Sequence, residues 1–196
     1  MSREHPETSG NAQVLDDALA ETFPASDPPS MTSPSAATPS AEVIVEHSTA
    51  PLRLYRVVGA DEAAQPFHPS EKGGRWSPPG TPCVYASLSP AGALLEYLAH
   101  LEDAPPEGLL LAVAEAPAGA TLSELNEPST WCELPYRAEV QQVGADWLAS
   151  GRSLALRVPS ALSQGECNVL LNPGHAGYAA VQLRELRPMQ VDPRLL

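Results

Sequence analysis

The chain's 196 residues predict an α+β domain, a small split β-core with flanking helices, behind a disordered acidic N-terminal arm. Three observations lead there. Residues 1–50 are rich in Pro, Ser, Thr and acidic side chains, a composition that buries too little apolar surface to offset chain entropy. From Leu52 onward, short apolar or β-branched runs bounded by Gly and Pro are interrupted by two helical stretches, a mixture rather than a repeating strand–helix unit. Apolar residues make up 43% of the chain, enough for one packed core at this length.

In order, the arm (1–50) holds one amphipathic piece: Leu15, Leu19 and Phe23 share a helical face over 14–23, ended by Pro24. Such a short helix is marginal alone and reads as a docking segment, for the domain or for a partner, or as a passive linker. The domain spans 52–196. Leu52–Val58 reads as a strand by length and β-branching, and 82–87 as a second. Ser89 is an N-cap with Pro90 at the first helical position, and Leu94, Leu98 and Leu101 form the expected core stripe, with Glu96 beside it. Residues 109–114 predict a strand. Residues 138–149 predict a helix with Val140, Val143, Trp147 and Leu148 inward. Strands follow at 153–158, 169–171 and 179–183, with a last one near 188–191.

Charge excludes one class of ligand. The net charge is −13, of which residues 1–50 carry −7 (eight acidic residues against Arg3), and Lys72 is the chain's single lysine. Without clustered cations there is no electrostatic footprint for DNA or RNA. Cys83, Cys132 and Cys167 are odd in number and widely spaced, so neither a disulfide framework nor a zinc site is indicated, and they read as small buried hydrophobes in a reducing compartment. No signal peptide and no apolar run of membrane-spanning length is found, so the expectation is a cytoplasmic protein without a metal.

The richest window is Gly73-Gly74-Arg75-Trp76-Ser77-Pro78-Pro79-Gly80, followed by Val84-Tyr85-Ala86-Ser87 and the helix bearing Glu96. Glycines beside an arginine let the backbone approach a ligand closely, and a guanidinium fork suits phosphate or carboxylate. The plain alternative is a surface loop with a solvated arginine. Tyr55 and Tyr85 carry faces able to hold a planar or cationic ring, with core packing as the rival explanation. Asn168 and Asn172, next to Pro173-Gly174, read first as turn residues, and His175 as turn structure.

Five segments in order, Leu54-Tyr55-Arg56, Gly73-Gly74-Arg75-Trp76, Val84-Tyr85-Ala86-Ser87, Leu94-Leu95-Glu96, and a C-terminal block from Leu156-Arg157-Val158-Pro159-Ser160 to Asn168-Val169-Leu170-Leu171-Asn172-Pro173-Gly174-His175, resemble the RES domain, the toxin of a bacterial toxin–antitoxin family. The resemblance covers roughly residues 52–191 and departs at Ser77, where relatives often carry asparagine. It implies a small relative of the ADP-ribosyltransferase fold with a cleft for NAD as substrate. It places the family's catalytic arginine, tyrosine and glutamate on Arg75, Tyr85 and Glu96, a further arginine on Arg56, and the serine on Ser160. Splitting the nicotinamide bond passes through an oxocarbenium-like ribose, which calls for a carboxylate and a grip on the diphosphate. Arg56, Tyr55, Arg75, Ser160 and Asn168 are the expected binding residues, with Ser160 donating to substrate or to Glu96, and Trp76 a support over the turn.

The resemblance also implies a cognate antitoxin with an Xre-like helix-turn-helix domain, blocking the cleft beside Arg75. The acceptor of ADP-ribose, whether water, phosphate or a protein, is left open. Two other classes stand beside this reading: a binding module without catalysis on the same fold, and a cysteine hydrolase using one of the three thiols with His100 or His175, which lacks any local nucleophile signature.

Overall fold

The computed structural model describes residues 43–101, 107–125 and 127–195, with the side chains of 43, 44 and 125 outside the description. The possible helix at 14–23 and most of the acidic arm lie outside the described residues. Eight strands make one mixed sheet: β1 (Val43–His47), β2 (Leu52–Val58), β3 (Val84–Ser87), β4 (Leu110–Ala116), β5 (Thr121–Leu125), β6 (Ala155–Pro159), β7 (Cys167–Leu171) and β8 (Gln182–Pro188). Their order is β1-β5-β6-β7-β3-β2-β4-β8, antiparallel throughout except for the β5–β6 pair. Helices α1 (Pro90–Ala99) and α2 (Ala138–Ser150) complete the α+β architecture.

The sheet is nearly split at its centre. β2 pairs with β4 over seven residues and β3 with β7 over four, but β2 and β3 share only the Tyr55–Ser87 pair. Beyond it, toward Arg56 on one side and Tyr85 on the other, the strands diverge.

Strand alternation sorts the side chains onto two faces. On one, α2 packs Val140 and Trp147 against Leu156, Val158, Leu170 and Cys83, while α1 packs Ala93 against Val57, Leu111 and Val113. On the other, Leu54, Val84, Ala86, Ala155, Val169 and Leu171 are covered by Phe67, Leu88, Tyr178 and Val181.

The helix starts follow their local chemistry. Ser89 caps α1, its Oγ accepting from the Gly92 amide at 3.0 Å, with Pro90 first in the helix. α2 buries Val140 and Trp147, with Val143 and Leu148 packed beside them, as its spacing predicts. The expected stripe of α1 is corrected: the inward residues are Gly92 and Ala93, with Leu94 and Tyr97 beside them, while Leu98 is only half-buried and Leu101 follows the helix end. The reason is proximity. A Cβ on Gly92 would lie 2.4 Å from Ser87 Oγ, so α1 rests on its smallest residues and cannot turn a leucine row to the sheet.

Three strands depart from expectation. Val43–His47, placed by composition in the arm, is a β-branched strand paired along β5, and β5 itself (Thr121–Leu125) carries too short an apolar alternation to announce itself. The C-terminal strand is Gln182–Pro188 rather than 179–183 and 188–191; residues 176–180 form a 3-10 turn. Every residue of β8 is exposed, so no hydrophobic pattern marks it, and its place comes from backbone pairing with β4.

One contact between layers admits no side chain. Gly144 of α2 crosses the backbone of Trp76 so closely that a Cβ would lie 1.7 Å from the Trp76 carbonyl oxygen. Gly144→Ala is expected to destabilise the fold by about 3 kcal/mol or more, the upper range of overpacking costs. A thermal melt should show Tm falling by roughly 6–12 °C.

Candidate active site

Where the strands diverge, a cavity of about 490 Å³ opens beside α1. Its walls hold Tyr55 and Arg56 from β2, Arg75 from the glycine turn, Tyr85 from β3, Glu96 from α1 and Asn168 from β7. Six of the seven sequence-predicted site residues thus share one pocket, and the seventh, Ser160, reaches it through Glu96.

Glu96 is set by helix phase. Ala93, Glu96, Tyr97 and His100 repeat at i, i+3, i+4 and i+7 and line the same wall. Two donors converge on one carboxylate oxygen: Asn168 Nδ2 at 2.6 Å and Ser160 Oγ at 3.3 Å both donate to Oε1. Oε2 has no hydrogen-bond partner and Glu96 no cationic partner among the described residues. Asn168 is therefore corrected from a turn residue to a strand residue, opposite Ser87 and Val158, whose amide orients Glu96. Its Oδ1 is buried without a partner. Asn172 does act in a turn: it accepts from Gly174 N at 2.9 Å and donates to the Leu148 carbonyl at 2.8 Å. His175 caps the 3-10 turn by accepting from Gly177 N.

The glycine turn is held from two sides. Gly73 adopts φ +78°, and a Cβ there would meet the Pro79 nitrogen at 2.7 Å, so the position requires glycine. Tyr85 Oη accepts from the Trp76 amide at 3.1 Å and bonds Ser77 Oγ at 2.9 Å. Gln141 of α2 donates to the Gly74 carbonyl at 2.9 Å. Ser77, where the resemblance leads one to expect asparagine, is fully buried and completes this bond to Tyr85. Burial raises the Tyr85 phenol well above its ordinary range, so it acts as a neutral strut for the turn.

Arg75 is already engaged. Its Nη1 donates to the carbonyls of Trp131 at 2.8 Å and Glu133 at 3.1 Å, and its guanidinium carbon lies 4.8 Å from the centre of the Tyr136 ring. Trp76, expected as a cover over the turn, is itself buried and stacks on Trp131 with ring centres 6.2 Å apart. Arg56 lies 3.6 Å from Glu62. Tyr55 is half-buried, packing against the α1 core and lining the cavity. Cations outnumber acids in the wall: Arg56, Lys72 and Arg75 against Glu62 and Glu96.

Lys72, His100, Leu134 and Tyr136 also line the cavity, and sequence reasoning does not place them in this site. Leu134 and Tyr136 sit in an irregular proline-containing loop with no periodicity to mark them. The spacing of His100 from Glu96 was the one available signal. Among the described residues, no three His, Cys, Asp or Glu side chains gather as metal ligands, and no helix is long and apolar enough to cross a membrane.

With this geometry in view, residues 53–192 match the RES domain family. The chain belongs to that family. It is 32% identical over 152 residues to Toxin Res of Yersinia enterocolitica, covering 74% of this chain and 99% of that protein. It is also 32% identical to the Prs ADP-ribosylating toxin of Sphingobium sp., over 63% of this chain and 81% of that one, and 37% identical to Toxin Res of Pseudomonas putida, over 62% and 85%. Among solved structures, the Mycobacterium tuberculosis MbcT–MbcA toxin–antitoxin complex contains a chain of the same fold, with a TM-score of 0.56 at 18% identity over 74% of this chain and 87% of that one.

None of the three cysteines hydrogen-bonds a histidine among the described residues, and Cys83 faces the carbonyls of Val84 and Leu171 instead. Cys83 is buried, its thiol pushed up to about 12 by desolvation, and Cys167 is half-buried and also raised by burial. Cys132 is exposed, contrary to the expectation of three buried thiols. Since the thiolate is the reactive species, iodoacetamide at neutral pH should label Cys132 in the folded protein and spare Cys83 until denaturant is added. Peptide mapping of the adducts checks this order.

Proposed function

We propose that this chain is the toxin of a toxin–antitoxin system and consumes NAD by cleaving its nicotinamide–ribose bond. The observation that carries the reading is the Glu96 carboxylate, oriented by Asn168 and Ser160 on Oε1 in the wall of a cavity of about 490 Å³. That volume lies inside the range of about 300–1,000 Å³ usual for small-molecule sites. As the glycosidic bond stretches, positive charge builds on the ribose, and a fixed carboxylate stabilises that charge more than it stabilises bound NAD. The diphosphate is met by the cationic side of the wall, where Arg56 and Lys72 stand, and the nicotinamide by the aromatic wall of Tyr55 and Tyr136.

The family match and the relatives named toxins support this assignment, and one of them is named for ADP-ribosylation. ADP-ribose passes to water, phosphate or a protein acceptor. An antitoxin, with an Xre-like helix-turn-helix domain, holds the enzyme inactive by covering the cavity mouth. The fold shared with a chain of a toxin–antitoxin complex is consistent with such a partner.

Purified protein mixed with NAD should release nicotinamide, followed by chromatography, and its expression in bacteria should arrest growth. Glu96→Gln should keep the fold and lower turnover by about 10²-fold or more, the scale of losing a positioned carboxylate. NAD bound without nicotinamide release, with or without cell lysate, would replace this reading with that of a binding module. Co-purification with the product of a neighbouring gene tests the antitoxin.

A further inference from the structure

The residues that hold Arg75 form a strap. Between β5 and α2 the chain runs through 128–137, and its internal bonds are short-range turns: Trp131 N to the Pro128 carbonyl at 2.9 Å, Glu133 N to the Thr130 carbonyl at 3.1 Å, and an Arg137–Glu133 ion pair. Leu134 at its apex is 73% exposed. No strand pairing and little buried surface hold this segment. Thr130 Oγ1 donates to Glu139 of α2 at 3.0 Å, and two consecutive residues of the glycine turn hold the stretch beyond it: Arg75 through the carbonyls of Trp131 and Glu133 and the face of Tyr136, and Trp76 by stacking on Trp131. The far end touches α1, where Tyr136 Oη lies 3.4 Å from His100 Nε2. Leu134 and Tyr136 line the cavity; Trp131 does not.

We propose that Arg75 is a positioning residue, the latch that fixes the 128–137 strap as one wall of the NAD site, and that direct contact with the diphosphate falls to Arg56 and Lys72. This deepens the NAD-cleaving reading and rests on it. The chemistry separates the two roles of a cation. A phosphate met by a point charge tolerates lysine. Two carbonyls and a ring face held by one planar guanidinium do not, because the lysine nitrogen lies one bond nearer the backbone and has no plane to stack. Lys72 makes no ion pair among the described residues, which leaves its charge to a ligand.

The test compares Arg75→Lys, which keeps the charge, with Trp131→Leu, which loosens the strap without touching the cavity lining. Amide hydrogen exchange is measured on the full chain without ligand, and KM and kcat for NAD are measured in parallel. Arg75→Lys should accelerate exchange across 131–136 by about tenfold or more, the scale of losing one charge-assisted hydrogen bond, and Trp131→Leu by roughly two- to tenfold, the scale of losing one aromatic pair, while β6 and β7 exchange as in the unmodified protein. Both should raise KM for NAD more than they lower kcat, and Lys72→Ala should raise KM without changing strap exchange. Strap exchange unchanged in Arg75→Lys overturns the latch. A loosened strap in Trp131→Leu with unaltered kinetics removes the strap from the site. If the unmodified protein leaves NAD intact, the proposed function fails, and the exchange measurement still decides whether Arg75 is the latch.

Discussion

Tyr55 and Ser87 are the last opposed residues before β2 and β3 part, and the site exists because the pairing stops there. A continued ladder would bring 56 and 57 against 85 and 86 at ordinary strand spacing and close the gap. The strands diverge without loss of the sheet because each is anchored on its outer side, β2 along β4 and β3 along β7. The opening therefore sits between paired strands, and its carboxylate and the amide that orients it stand on a helix and a strand while loops complete the wall, an arrangement able to hold the carboxylate in one orientation.

Small residues bring the layers close enough to matter. Gly92 and Ala93 seat α1 on Ser87, which carries Glu96 to within reach of Asn168 on the neighbouring strand. Gly144 seats α2 on the Trp76 backbone, and Gln141, one helical turn earlier, ties down Gly74. The glycine turn is thus clamped between β3 and α2, and whatever it carries inherits that rigidity. Arg75 transmits it to the strap, and the strap returns through Tyr136 to His100 at the end of α1. The pocket wall is a ring of contacts between elements far apart in sequence.

Charge is arranged on two scales. The chain as a whole is strongly acidic, yet the cavity wall carries Arg56, Lys72 and Arg75. At physiological salt, exposed charges more than about 8 Å apart are largely screened. An anionic ligand in the cavity therefore responds to the three nearby cations, while the net charge acts mainly on solubility and on encounters with other macromolecules. The expectations of no nucleic-acid ligand and of an anionic small molecule are compatible for this reason.

Local chemistry was legible in the chain itself. The capped start of α1, the inward face of α2 and the order glycine turn, strand, carboxylate helix depend on neighbours within a few residues, where propensity and periodicity act. The five ordered motifs sufficed for the family, and with it the residues that share the cavity. What lay beyond reach depends on contacts across the chain. Asn168 looks like a turn residue beside Asn172 and becomes a carboxylate's partner only because β7 runs next to β3. The inward face of α1 follows from how close the helix can come, which Gly92 and Ser87 decide together. β8 exists by backbone pairing alone. Arg75 reads as a free phosphate grip in sequence, and only the folded chain brings the Trp131 and Glu133 carbonyls to it, because backbone carbonyls carry no sequence signal at all.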